Sequence, residues 1–276
     1  MKPRFSIRGE AKRVDQILRV LAKYGLGEWI SKAQPELIAK HLKSAEGNRI
    51  AEMSREERIR GAITELGTTF IKLGQILSTR ADLVGPELAG ELSKLQSDTP
   101  ADPPEQVRVT VESEIGTSVD KAFRDFDDVA LASASIGQVH AATLHDGQAV
   151  VVKVRHDGIE ETIHRDLEIL ASLAELAEKH SPELRLYQPV RTVQDFKKQL
   201  VFELDFGREA RNLEQFNRNF SNASDIRAPR PYRELSSRRV LTMERLEGTS
   251  VARAAELRER GVDTGAIARR GADAYM

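Results

Sequence analysis

The chain has 276 residues, with 42 Lys+Arg against 43 Asp+Glu, a net charge of −1 and no cysteine. That length supports a packed core in one or two domains. The missing thiol excludes a disulfide framework, a cysteine nucleophile and any cysteine-ligated metal, and the near-zero charge excludes a bulk electrostatic grip on nucleic acid.

In chain order, the first residues, MKPRFSIRGEAKR, are basic and lack the apolar stretch of a signal peptide. Val14, Ile17, Leu18 and Leu21 predict an amphipathic helix over 11–26, closing near Gly25, with Lys12, Arg13, Arg19 and Lys23 beside the stripe. Such a helix either docks on its own domain or lies on a membrane surface. Residues 35–48 predict a short helix. Ser54 and Glu57 form a capping box that opens one long helix through Ile59, Ile63, Leu66, Phe70, Leu73 and Leu77, ending before Gly85-Pro86. Pro86 to about Leu95 is another helical turn or two. Pro100, Pro103 and Pro104 make 98–104 a linker, and 105–115 resume a helix.

The pattern then shortens and alternates. Residues 129–155, with an Asp146-Gly147 turn, predict three antiparallel strands, the last a buried run over Ala149–Val154. Ile159, Ile163, Leu167, Leu170, Ala174 and Ala177 predict a helix over 159–180. Residues 191–220 predict one long helix with Gly207 inside it. A turn at 227–231 leads to a strand at 239–243. Leu246-Glu-Gly248 breaks that strand, and the tail from Val251 is helical. No repeat and no run approaching 18 apolar residues occurs, and the six histidines show no metal-ligand spacing.

The segment Ala132, Ser133, Ala134, Ser135, Ile136, Gly137, Gln138, Val139 lies between two predicted strands. Gly137 and Val139 match the last glycine and the valine of the kinase template G-x-G-x-x-G-x-V, while Ala132 and Ala134 replace its first two glycines. Small residues let backbone N–H groups approach phosphate oxygens, and alanine makes the loop stiffer than glycine would. A small-residue turn without a ligand is the plain alternative. Lys153 follows on the strand Val150-Val-Val-Lys153, the type and distance of the kinase strand lysine that reaches the α- and β-phosphates. Two further matches, His164-Arg-Asp-Leu167 and Asp205-Phe-Gly207, resemble the kinase catalytic and metal-binding triplets. They fail on order and room: His164 stands too close to Lys153, Ala171 occupies the metal-binding Asn position, and both triplets fall inside helical patterns. Glu209 is the better partner for Lys153. On one continuous helix Asp205 and Glu209 share a face while Glu203 points away, so Glu203 and Glu209 serve different partners.

Five ordered segments together resemble the UbiB family (also called ADCK) of atypical protein-kinase-like proteins of ubiquinone and lipid metabolism. They are Phe70–Arg80, Ala132–His140, Val150–Lys153, Glu203–Asp205 with Arg208–Asn212, and Val240–Glu244. The resemblance implies an α+β fold: a protein-kinase-like N-lobe of antiparallel sheet plus an αC-type helix, with an N-terminal helical extension. It implies a division into a helical region (1–53), a K-x-G-Q extension (54–104), the N-lobe with hinge (105–248) and the start of a C-lobe (249–276). Lys72, Gly74 and Gln75 resemble the K-x-G-Q motif, on a helix that folds over the nucleotide cleft. Glu203 and Asp205 resemble the E-x-D motif that meets it, and both sets are implied to be regulatory. Lys153 and Glu209 are implied to be catalytic. The Ala132–Val139 loop, Lys153, Glu244 and Leu246 are implied to bind ATP, with Met243 as gatekeeper. His156-Asp157-Gly158 stands in place of an Arg-Pro-Gly turn, and Val129-Ala130 in place of a proline; only local turn changes are expected from either.

The family's H-x-D-x-H-P-G-N loop and its D-F-G follow the hinge, so its Mg2+ ligands are expected beyond residue 276 and the chain is expected to be a truncated, inactive fragment. The implied partners are ATP, a membrane surface or lipid, and other ubiquinone-biosynthesis proteins, with no nucleic acid. The implied location is cytoplasmic and peripheral to a membrane, with a membrane-anchored parent. Two other readings are a non-catalytic nucleotide-sensing module and a helical scaffold that binds lipid or a partner through 11–26.

Overall fold

The computed structural model describes residues 7–26, 50, 52–96, 99–180, 185–223 and 225–275. The expected helix over 35–48 lies outside them. Helices α1 (Ile7–Lys23), α2 (Arg55–Leu66), α3 (Thr68–Ser78), α4 (Ala81–Val84), α5 (Pro86–Leu92), α6 (Pro104–Ile115) and α7 (Val119–Ala122) precede a sheet of β1 (Asp125–Ser133), β2 (Gly137–Thr143), β3 (Ala149–Arg155) and β4 (Val240–Glu244). Between β3 and β4 lie α8 (Ile159–His180), α9 (Pro189–Glu203) and α10 (Phe206–Asn219). After β4 come α11 (Ala254–Glu259) and α12 (Thr264–Tyr275). The sheet is antiparallel in the order β1-β2-β3-β4. This is the α+β arrangement of a kinase-like N-lobe carrying an N-terminal helical extension.

The strand period of two divides β3 between two layers. Val150, Val152 and Val154 are fully buried and pack with Val107 and Val111 of α6, Val119 of α7 and Phe123. Each such side chain contributes about 1.5–3 kcal/mol of burial. Val151, Lys153 and Arg155 alternate to the other face. There Leu241 of β4 joins a cluster with Ile163 and Leu167 of α8, Leu200 of α9, Phe206 and Ala210 of α10, and Phe70 of α3.

α1 belongs to that second layer. Ile17 and Val20 are buried in it. Arg13 donates from Nε to Asp166 Oδ1 at 2.7 Å, and from Nη2 to Asp166 Oδ2 at 2.9 Å and to the Leu66 carbonyl at 2.7 Å. The apolar stripe of α1 is therefore docked on its own chain. Asp166, the Asp of the rejected His-Arg-Asp match, is a buried anchor between α8, α1 and the end of α2, with 1% of its surface exposed.

Two long helices expected from periodicity are each divided. The Ser54–Glu57 capping box forms, but the helix stops at Gly67, whose φ of +90° and ψ of −162° cannot continue a right-handed helix. The 191–220 pattern breaks at Leu204-Asp205. The Leu204 carbonyl accepts from Arg155 Nη1 at 2.6 Å, and the Phe206 amide donates to the Arg238 carbonyl at 3.1 Å. Asp205 has φ −103° and ψ 91°. Glu203 thus ends α9 while Glu209 sits in the first turn of α10, and the shared helical face expected for Asp205 and Glu209 does not exist. β1 begins earlier than residue 129, at Asp125, with register shifts between Phe126 and Ala132. The tail divides into two helices. No helix among the described residues is long and apolar enough to cross a membrane.

Candidate functional site

β2, β3 and β4 bring Val139, Lys153 and Leu241 side by side, since Val139 pairs with Lys153 and Lys153 with Leu241. Lys153 Nζ donates to Glu209 Oε2 at 2.7 Å and lies 4.5 Å from the centre of the Phe206 ring. Both partners come from the first turn of α10, which the break at Leu204-Asp205 aims at the sheet. Lys153 keeps 28% of its side-chain surface exposed, so the ammonium is paired yet reachable. The arrangement is one oriented cation between Val139, which is half-buried, and Leu241, which is fully buried in the helix layer.

The Ala-rich loop turns over Ala134–Ile136. The Ala134 amide donates to the Gly137 carbonyl at 3.0 Å, and the His156 amide donates to the Ile136 carbonyl at 3.0 Å. A Cβ on Gly137 would stand 2.5 Å from the Val154 carbonyl oxygen, so the glycine is required by the neighbouring strand. Ser135, Ile136 and Gln138 are buried. Gln138 pairs with Val154, which places its side chain on the α6 face of the sheet, opposite the face of Lys153. Gln138 therefore offers the Lys153 face of the sheet its backbone and not its side chain. Ala132 and Ala134 are exposed, and Ser133 is half-buried.

The extension reaches the same face through α3. Lys72 Nζ lies 2.7 Å from Glu203 Oε2. Gly74 instead packs against Leu95, and Gln75 Nε2 donates to the Leu95 carbonyl at 3.3 Å. Asp205 pairs at 3.5 Å with Arg211 of α10, and its Oδ1 is buried without a hydrogen-bond partner. Glu203 and Glu209 therefore serve different lysines, Lys72 and Lys153. Below the loop, buried Arg155 also donates to Glu160 at 2.5 Å. Burial pushes its guanidinium below the ordinary arginine range, and the Glu160 charge opposes that shift.

At the hinge, the Glu244 amide already donates to the Arg230 carbonyl at 2.8 Å, and its carboxylate lies 3.2 Å from Arg227. Its backbone N–H is thus committed within the protein. Leu246 follows in an irregular segment and is partly exposed.

The residues that sequence reasoning passed over are Asp102 and His156. His156 Nε2 lies 2.9 Å from the Ala134 carbonyl and Nδ1 lies 3.1 Å from Asp102 Oδ2. The exchange at 156–158 is therefore not confined to its own turn, as expected, but touches the Ala-rich loop. The departure from the Arg-Pro-Gly turn was the signal that could have found it.

Residues 94–276 match the ABC1 atypical kinase-like domain. The chain is 42% identical over 225 residues to a protein of Pseudomonas paraeruginosa named "Probable protein kinase UbiB", covering 82% of this chain and 42% of that one. It is 36% identical over 271 residues to a protein of the same name from Aliivibrio fischeri, covering 97% and 50%. A solved Mycobacterium tuberculosis protein in complex with erythromycin is 27% identical, covering 66% of this chain and 44% of that one, at a TM-score of 0.49. The chain spans about half the length of the curated relatives it matches. Kinase-like architecture, ordered motifs and matched domain lead to one statement of kinship: the chain belongs to the ABC1 atypical kinase-like family, whose relatives include the UbiB proteins.

Proposed function

We propose that this chain is the nucleotide-binding part of a UbiB-like atypical kinase or ATPase that supports ubiquinone biosynthesis. The observation that carries this reading is the Lys153–Glu209 pair at 2.7 Å, on the strand beside the Ala-rich loop. A strand lysine held by a helix glutamate is the device that presents a cation to the α- and β-phosphates of a nucleotide. In this reading Lys153 binds those phosphates and Glu209 orients it. The backbone of Ala132–Val139 lies over them, and the hinge at Leu246 faces the base. Glu244, whose amide is committed, contributes its strand position rather than that donor.

The Lys72–Glu203 contact ties α3 to the end of α9, beside the first turn of α10. We assign Lys72, Gly74, Gln75, Glu203 and Asp205 a regulatory role: they hold the extension against the site. Among the described residues no group of three or more His, Asp or Glu could hold a metal ion. The Mg2+ ligands are proposed to lie in the length of the relatives that this chain does not cover.

The relatives' name supports a place in ubiquinone biosynthesis. A cytoplasmic location with peripheral membrane contact is part of the same proposal, and that contact uses some surface other than the apolar stripe of α1, which is packed internally. Titration of the purified chain with a fluorescent ATP analogue, displaced by unlabelled ATP, tests the reading. Saturable, competable binding supports it; no binding with the chain folded overturns it.

A further inference from the structure

The linker over 99–103 carries the chain from the helical extension to α6, and it crosses behind the Ala-rich loop. We propose that Asp102 is a positioning residue for that loop, fastening the linker to both of its arms so that extension and loop hold each other in place.

Two routes run from Asp102. Its amide donates to Gln138 Oε1 at 2.5 Å, Gln138 Nε2 lies 2.8 Å from His140 Nε2, and His140 Nδ1 lies 2.8 Å from the Asp127 carbonyl of β1. Gln138 and His140 are fully buried, so these polar atoms depend on one another for satisfaction. By the second route the Asp102 carboxylate accepts from the Asp157 amide at 3.1 Å and lies 3.1 Å from His156 Nδ1. The other nitrogen of that ring lies 2.9 Å from the Ala134 carbonyl and 3.4 Å from Ser133 Oγ. One linker residue thereby reaches the descending arm through Gln138 and the tip through His156.

The linker is stiff. Pro100, Pro103 and Pro104 fix φ around Asp102, which narrows the positions that Asp102 can take beside the loop. The consequence for nucleotide rests on the reading above; the latch does not.

The test is hydrogen exchange of the purified 276-residue chain without nucleotide, followed by ATP titration. Asp102→Ala leaves the Asp157 amide without its acceptor and removes the carboxylate that lies 3.1 Å from His156 Nδ1. Exchange across 132–139 is expected to rise about tenfold, the scale of one lost hydrogen-bonded contact, with β3 and β4 unchanged and ATP binding weakened. Asp102→Asn restores an acceptor and is expected to return the loop close to wild type. His156→Gln severs the same link from the other side, so the double variant is expected to be no looser than D102A alone. Unchanged loop exchange in folded D102A overturns the proposal, as does an additive double variant. A loosened loop in a chain that binds no ATP keeps the latch and overturns the nucleotide reading. If D102A does not fold, the Asn and Gln variants decide by the same exchange.

Discussion

Arg155 Nη1 donates to the Leu204 carbonyl at 2.6 Å, and that bond helps set where α9 stops and α10 starts. A continuous helix would use that carbonyl for the amide four residues on. With it taken, the chain turns at Asp205 and the first turn of α10 delivers Phe206 and Glu209 to Lys153. Arg155→Met is expected to cost about 2–4 kcal/mol, because it leaves the buried Leu204 carbonyl without its donor and removes the nearer of the two arginines on Glu160. Urea denaturation measures it. A cost under about 0.5 kcal/mol, the range of ordinary surface changes, would remove Arg155 from this role.

The His-Arg-Asp match separates structural from catalytic readings. Asp166→Ala strips Arg13 of a bidentate buried partner and is expected to cost about 3–5 kcal/mol. His164→Ala, on the solvent side of α8, is expected to stay within about 0.5 kcal/mol. Paired denaturation curves check both. Loss of nucleotide binding in a stable His164→Ala chain would restore the triplet as a functional motif.

Gly137→Ala places a methyl 2.5 Å from the Val154 carbonyl oxygen. Backbone cannot retreat as a side chain does, so a loss of about 1–3 kcal/mol is expected. Gly90→Ala in α5 meets nothing within 4 Å and is expected to gain about 0.5–1 kcal/mol from helix propensity. Thermal unfolding of the two variants should therefore shift in opposite directions.

Acid is expected to destabilise the chain. Hydrogen bonds from Lys94 and Arg60 hold the Glu91 carboxyl below its ordinary range, Arg233 does the same for Glu214, and Arg108 for Asp128. A carboxylate depressed in the folded state contributes stability that is present above its unfolded pKa and is lost as pH falls through the folded one. Denaturation midpoints should fall below about pH 4, and Glu91→Gln should make the fall shallower. An unchanged acid profile in that variant would mean that the Glu91 cluster adds nothing to acid sensitivity.

Much of the site was legible because local pattern and tertiary role agree there. The β-branched run around Lys153 specifies a strand, and the small residues before Gly137 specify a turn. The misjudged features have tertiary causes. Nothing at Leu204-Asp205 resembles a helix stop, because Arg155 and Arg238 supply the competing hydrogen bonds from distant parts of the chain. Gly67 was visible, yet the apolar stripe runs on past it with only a change of direction. The motif says nothing of where the Gln138 side chain goes; the strand period places it on the α6 face, where it meets His140. Asp102 and His156 lie far apart in sequence, and only the packing of the linker behind the loop joins them.

Isothermal titration of ATP into the wild-type chain and into Lys153→Ala tests the central claim most directly. The account predicts measurable wild-type binding, weakened at least about tenfold in the variant, or about 1.4 kcal/mol, with the fold intact. Equal affinities would contradict it.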